Sequence, residues 1–147
     1  MGARSLSNLK NVNRTFDNVL DSFLNLTDGG SVVGKFGLGA QTVAAAGADQ
    51  AGAGAISATG GGTVIVTGAD DAKGVRLPLL SDCNVGQQFF IMNNLVNKTL
   101  EVYPGSGDAV NVSSDNTPIT IAADTIMLCI KMDDAEWFGA ELPVVGA

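Results

Sequence analysis

From Thr63 to Leu142 the chain alternates short apolar segments with turn residues, and that rhythm admits few architectures. Eight segments carry it: Thr63–Thr67, Val75–Leu79, Gln87–Asn93, Thr99–Tyr103, Ala109–Val112, Pro118–Ala122, Thr125–Met132 and Glu136–Leu142. Gly, Asn, Asp and Pro separate them, at Gly68-Ala69-Asp70, Asn93-Asn94, Pro104-Gly105-Ser106-Gly107, Asp115-Asn116 and Asp133-Asp134. Short strands at this spacing predict a mainly β domain, a jelly-roll-like sandwich or barrel of about eight strands. Val75, Leu77 and Leu79 share one face of their segment, and Pro78 marks that segment as an edge strand or a bulge. Phe89-Phe90-Ile91-Met92 and Ile126–Ile130 are apolar on both faces, which places them centrally or at a subunit contact.

Two further zones precede the strands. In residues 1–30, Leu9, Val12, Phe16, Val19, Phe23 and Leu26 recur at spacings of three and four, the stripe of an amphipathic helix or arm ended by Asp28-Gly29-Gly30. Its many asparagines are poor helix formers, so the segment needs a surface to lie on. Three placements stand open: packing on the domain it precedes, docking into a partner's groove, or self-association. Residues 31–62 are Gly/Ala-rich, and fifteen of the positions from Ala40 to Gly62 are Gly or Ala. This stretch reads as a flexible connector or as an extended arm packed tightly against neighbouring backbone. The Thr42–Ala48 run within it is a candidate first strand. The β-module proper is residues 63–147.

The strand-rich part is small for an independent core, and its large anchors are few: Phe89, Phe90, Tyr103, Trp137 and Phe138. These five are assigned to the core or to subunit contacts, and an oligomer is expected. Of the net charge of −7, residues 1–35 contribute about +1 and the remainder is strongly acidic. An acidic body repels phosphate backbones, so direct nucleic-acid binding is not expected.

Chemistry is disfavoured on similar grounds, two-carboxylate glycoside hydrolysis and calcium binding at the acidic turns being the readings left open. The chain has no histidine, so neither a Ser-His-Asp nor a Cys-His nucleophile can be assembled. The dense acidic clusters, Asp70-Asp71 and Asp133-Asp134-Ala135-Glu136, fall in turns, where Asp serves local backbone hydrogen bonding. The two cysteines, Cys83 and Cys129, lack zinc-site company, and Cys129 sits in an apolar strand as a small hydrophobe, with a disulfide between the two left open. None of the glycines follows a phosphate-loop or dinucleotide spacing. No catalytic, cofactor-binding or metal residue is assigned. Neither an export signal nor an apolar run long enough for a membrane span is read in the chain.

Certain stretches resemble a known module. Val66–Pro78, with its Gly74-Val75-Arg76-Leu77-Pro78, and Val102–Asn111, with its Tyr103-Pro104-Gly105-Ser106-Gly107, carry the likeness together with Trp137. The lead-in Gln41–Gly47 and Ala55–Ala58 extends it over roughly residues 41–141. This is similar to a β-rich surface module of tailed-bacteriophage virion proteins: head decoration proteins, head fibres and tail-fibre tips. The resemblance implies a homotrimer on the capsid exterior, made in the bacterial cytoplasm. Its partner would be the phage's major capsid protein, and Leu9, Val12, Phe16, Val19 and Phe23 would serve attachment. A fibre tip binding host-surface glycans is the alternative it implies.

Overall fold

The computed structural model describes residues 39–142, which form ten strands in two sheets. The first six are β1 (Ala40–Ala44), β2 (Gly54–Ala55), β3 (Thr63–Thr67), β4 (Gly74–Arg76), β5 (Gln88–Asn93) and β6 (Leu100–Tyr103). The last four are β7 (Ala109–Val110), β8 (Ile119–Ile121), β9 (Thr125–Lys131) and β10 (Glu136–Leu142). The larger sheet runs β1-β3-β5-β9-β10-β7 and the smaller β2-β4-β6-β8.

Through β6 the chain visits the two sheets alternately, and each strand lies parallel on the strand one turn earlier. Thr63 pairs with Phe90 and Val75 with Val102, both twenty-seven residues on, so this turn has the same length in either sheet. The first six strands are therefore rungs of a solenoid. Two strands then run back antiparallel, β8 along β6 and β9 along β5. A hairpin leads from β9 into β10, whose free side takes β7 in parallel.

The mainly β expectation agrees with this fold, but the jelly-roll-like sandwich does not. Jelly rolls are antiparallel, whereas the ladders that join the first six strands to one another are all parallel. The cause lies in the turns. Gly68 and Asn97 adopt left-handed backbone at φ 65° and 63° and carry the chain around a corner into the opposite sheet. A hairpin would have returned it along its own sheet. Asn and Gly tolerate this conformation best, which is why they stand at such corners.

Two local expectations are also corrected. β4 ends at Arg76 and lies between β2 and β6, so Pro78 makes neither an edge strand nor a bulge of it. Leu79 consequently leaves the buried face of Val75 and Leu77 and is exposed. β7 ends at Val110, because Asn111 turns left-handed at φ 55° and Val112 projects into solvent.

The Gly/Ala-rich stretch supplies β1 and β2, the first rung. Small residues are required there by close backbone approach: a Cβ at Gly54 would collide with the carbonyl oxygen of Ala44. Side-chain amides bind the rungs together at their ends. Gln41 donates to the carbonyls of Ser57 (3.1 Å) and Gly61 (2.8 Å) and accepts from the Ser57 amide (2.9 Å). Asn111 makes a reciprocal pair with the backbone of Gly139, at 3.1 and 2.9 Å, and so extends the β7 ladder beyond its last residue.

Between the sheets lies one apolar core. Val64, Val66, Phe89, Ile91, Met127 and Cys129 enter it from the larger sheet, and Val75, Leu100, Val102 and Ile121 from the smaller. Trp137, with no exposed surface, is the largest side chain in it. Its ring lies 5.7 Å from that of Phe89 at a 59° tilt, a favourable arrangement for two aromatic quadrupoles. Leu9, Val12, Phe16, Val19 and Phe23, and the helix or arm assigned to residues 1–30, lie outside the described residues.

Candidate interaction surface

The acidic clusters are committed to local structure. Lys98 Nζ lies 3.0 Å from both Asp70 Oδ1 and Asp71 Oδ2, and Asp71 also accepts from the Thr99 amide at 3.1 Å. This ties the corner before β4 to the corner before β6. Hydrogen bonding from Lys98 holds both carboxyls below the usual aspartate range, and the two carboxylates raise Lys98 in turn. The carboxyls' contribution to stability is therefore in place above the ordinary carboxylate range and fades as pH falls through their lowered values. That of Lys98 is in place below its ordinary value and fades as pH rises through the raised one. The groups are exposed, so the effect is small. Replacing Lys98 with methionine should lower the thermal midpoint slightly near neutrality. As pH falls through the lowered carboxyl values the difference from wild type should shrink, and a difference that stays constant along that acid limb would rule the linkage out.

At the other cluster, Asp133 Oδ1 accepts from the amides of Ala135 (2.7 Å) and Glu136 (3.2 Å) and shapes the β9–β10 hairpin. Asp134 pairs with Lys131 at 2.7 Å. Lys131 is 3% exposed and also donates to the carbonyls of Leu80 (2.8 Å) and Cys83 (3.0 Å). It thereby clamps the 3-10 turn Leu80–Asp82 onto the larger sheet. Asn93, also buried, donates to the carbonyls of Lys98 (2.8 Å) and Ala122 (2.9 Å). Both cysteines are free and buried. Burial pushes the Cys83 thiol up and that of Cys129 to about 12, so neither is poised as a nucleophile. Among the described residues no group of three or more Cys, Asp or Glu side chains is placed to hold a metal ion. Nor is any helix there long and apolar enough to cross a membrane.

A shallow groove of about 430 Å³ runs along the corner after β4 and is lined in part by Ser57, Arg76, Pro78, Leu79, Asp82 and Ser106. It brings one cation, one carboxylate and two hydroxyl groups to a mixed surface.

The outward faces of the two sheets differ sharply in chemistry. On the smaller sheet Arg76, Tyr103, Glu101 and Thr120 point outward, and Thr120 donates to Glu101 at 2.8 Å. The Ala46–Gly52 loop folds over this side: Arg76 donates to the Gln50 carbonyl at 3.3 Å and Tyr103 to that of Ala48 at 3.4 Å. The Tyr103 ring lies across Gly74, where a Cβ would stand 2.7 Å from it.

The larger sheet presents three cross-strand rows instead. Phe138, Ile130 and Gln88 form the first. Ala140, Leu128, Phe90, Thr63 and Ala40 form the second. Leu142, Ile126, Met92, Ile65 and Thr42 form the third. None of these side chains is ionisable, and Glu136, on the same face of β10, stands beyond the first row at the strand's end. A sheet with one face in water ordinarily alternates apolar-in with polar-out. The smaller sheet obeys that rule and the larger one breaks it.

The five anchors assigned from sequence thus divide. Phe89 and Trp137 are buried between the sheets, and Tyr103 is buried under the loop on the smaller one. Phe90 and Phe138 belong to the uncharged face, with Phe138 50% exposed. Lys131 and Asn93 escaped the sequence reading, although strand alternation carried the signal. Lys131 follows Met127 and Cys129 on the inward side of β9, and Asn93 follows Phe89 and Ile91 on that of β5. Comparison with protein-family models, curated proteins and solved structures finds no match.

Proposed function

We propose that the protein is a virion structural component of a tailed bacteriophage, a capsid decoration protein that binds the head lattice as a homotrimer and stabilises it. One observation carries the assembly part of this reading: the larger sheet turns three uncharged, largely apolar rows outward, while Asp70, Asp71, Asp133 and Asp134 are engaged at corners and a hairpin. Such a face gains free energy by leaving water, at roughly 25 cal/mol per Å² buried, and favours adhesion over catalysis. The phage assignment is supported by the resemblance of Gly74–Pro78, Tyr103–Gly107 and Trp137 to the virion module. In this reading the major capsid protein is the partner, the capsid exterior the location, and Leu9, Val12, Phe16, Val19 and Phe23 the attachment stripe.

The test is reconstitution. Heads assembled from the cognate major capsid protein should take up the purified chain at regular lattice positions, one site or more per capsomer, in a cryo-electron microscopy map. Serine at Val12, Phe16 and Phe23 should abolish uptake and leave the β-domain folded. Uptake by that variant would remove the attachment role, and no uptake by wild type would remove the decoration reading. The groove at Arg76, Asp82 and Ser106 favours a second reading, a fibre tip binding host-surface glycans. It predicts few copies per particle and glycan binding that Arg76→Ala abolishes.

A further inference from the structure

We infer that the outward face of the larger sheet is the surface through which copies of this chain join one another, its occupant being the same face or flank of a second copy. The inference rests on the assembly reading above but not on the identity of the shell. It begins from size. Three rows at two residues each along a strand, across five strands, span roughly 20 by 24 Å at the usual rise and strand spacing. That is roughly 450–500 Å² per copy and about 1,000 Å² for two, the lower bound for a stable protein interface. Set against the flank of the next copy, the face makes a heterologous contact, the kind that closes a ring of three.

Charge selects the partner. The chain carries fifteen acidic and eight basic residues, so two copies repel through most of their surfaces. The rows of Phe138, Leu128 and Leu142 form an uncharged window through which like copies can approach without that repulsion. An interface centre depleted of charge and enriched in aromatic residues and Met is the usual composition, and Phe90, Met92 and Phe138 provide it here. The smaller sheet cannot serve in the same way. Its outward Glu101 and Arg76 and the loop above Tyr103 would have to be stripped of water or displaced.

The experiment uses the full-length chain without phage heads: sedimentation equilibrium across a concentration series, with circular dichroism to check folding. Wild type should be an oligomer at micromolar concentration. Leu128→Lys places a charge at the centre of the face and should weaken association roughly 100-fold or more. Thr120→Lys, on the smaller sheet, should associate as wild type does. Should Leu128→Lys fail to fold, Phe138→Lys decides the matter, since a half-exposed position accepts lysine without loss of core packing. A wild type that stays monomeric to about 100 µM overturns the inference and leaves the face to some other occupant. Variants at Leu128 and Phe138 that assemble like wild type overturn it as well. Chain that assembles but is not taken up by heads would sink the decoration reading alone.

Discussion

Replacing Lys131 with methionine should destabilise the β-domain by about 2–4 kcal/mol, read from urea unfolding at fixed protein concentration. Methionine fills the channel occupied by the lysine stem, so the loss is not one of volume. What goes is the ammonium group, which satisfies the carbonyls of Leu80 and Cys83 at 2.8 and 3.0 Å. A buried acceptor left without a donor costs about 1–3 kcal/mol; that falls on the Cys83 carbonyl, while the Leu80 carbonyl loses one of two hydrogen bonds and keeps the Cys83 amide at 3.2 Å. The ion pair contributes little by comparison, because Asp134 is 91% exposed and screened by water. Asp134→Asn should therefore cost less than about 1 kcal/mol. The single tryptophan, Trp137, supplies the fluorescence signal. If Lys131→Met unfolds within about 1 kcal/mol of wild type, the clamp on the Leu80–Asp82 turn is not what holds that corner.

Trp137 itself should separate packing from hydrogen bonding. Trp137→Ala empties the largest volume in the core, beside Phe89, and should cost about 3–5 kcal/mol. Trp137→Phe should cost far less, about 1 kcal/mol, because two effects oppose. The smaller ring leaves a cavity, but the indole N–H it removes is buried and meets no acceptor among the described residues. Relief of an unpaired buried donor is worth about 1–3 kcal/mol, close to the packing lost with the second ring. Unfolding followed by circular dichroism distinguishes the two variants. Equal losses for phenylalanine and alanine would show that the indole nitrogen is satisfied or that the cavity dominates.

Both residues sit where strand alternation turns them inward. The same alternation generates the uncharged outward face, because β5, β9 and β10 place large apolar side chains at successive positions: Phe89 and Phe90, Met127 and Leu128, Trp137 and Phe138. Within one copy only one face of a two-layer fold can be covered by the other layer. The remaining apolar face is met by no strand among the described residues.

Local order was legible from residues alone. All eight strand segments read from the β-rich pattern hold a strand, and β3 and β10 have the expected ends. Alternation and β-branched runs act over a few residues, and a strand needs nothing more distant to declare itself. The buried roles of Phe89 and Trp137 follow from the same local rule. β2 was beyond such reading, because Gly and Ala carry almost no side-chain pattern and its pairing depends on how near the next backbone lies. Connectivity was beyond it too. A left-handed Asn or Gly ends a strand in the same way whether the chain then folds back as a hairpin or rounds a corner to the opposite sheet. Only partners far along the chain, such as Thr63 with Phe90 and Val75 with Val102, decide between them, and so made this protein a solenoid with one polar and one largely apolar outer face.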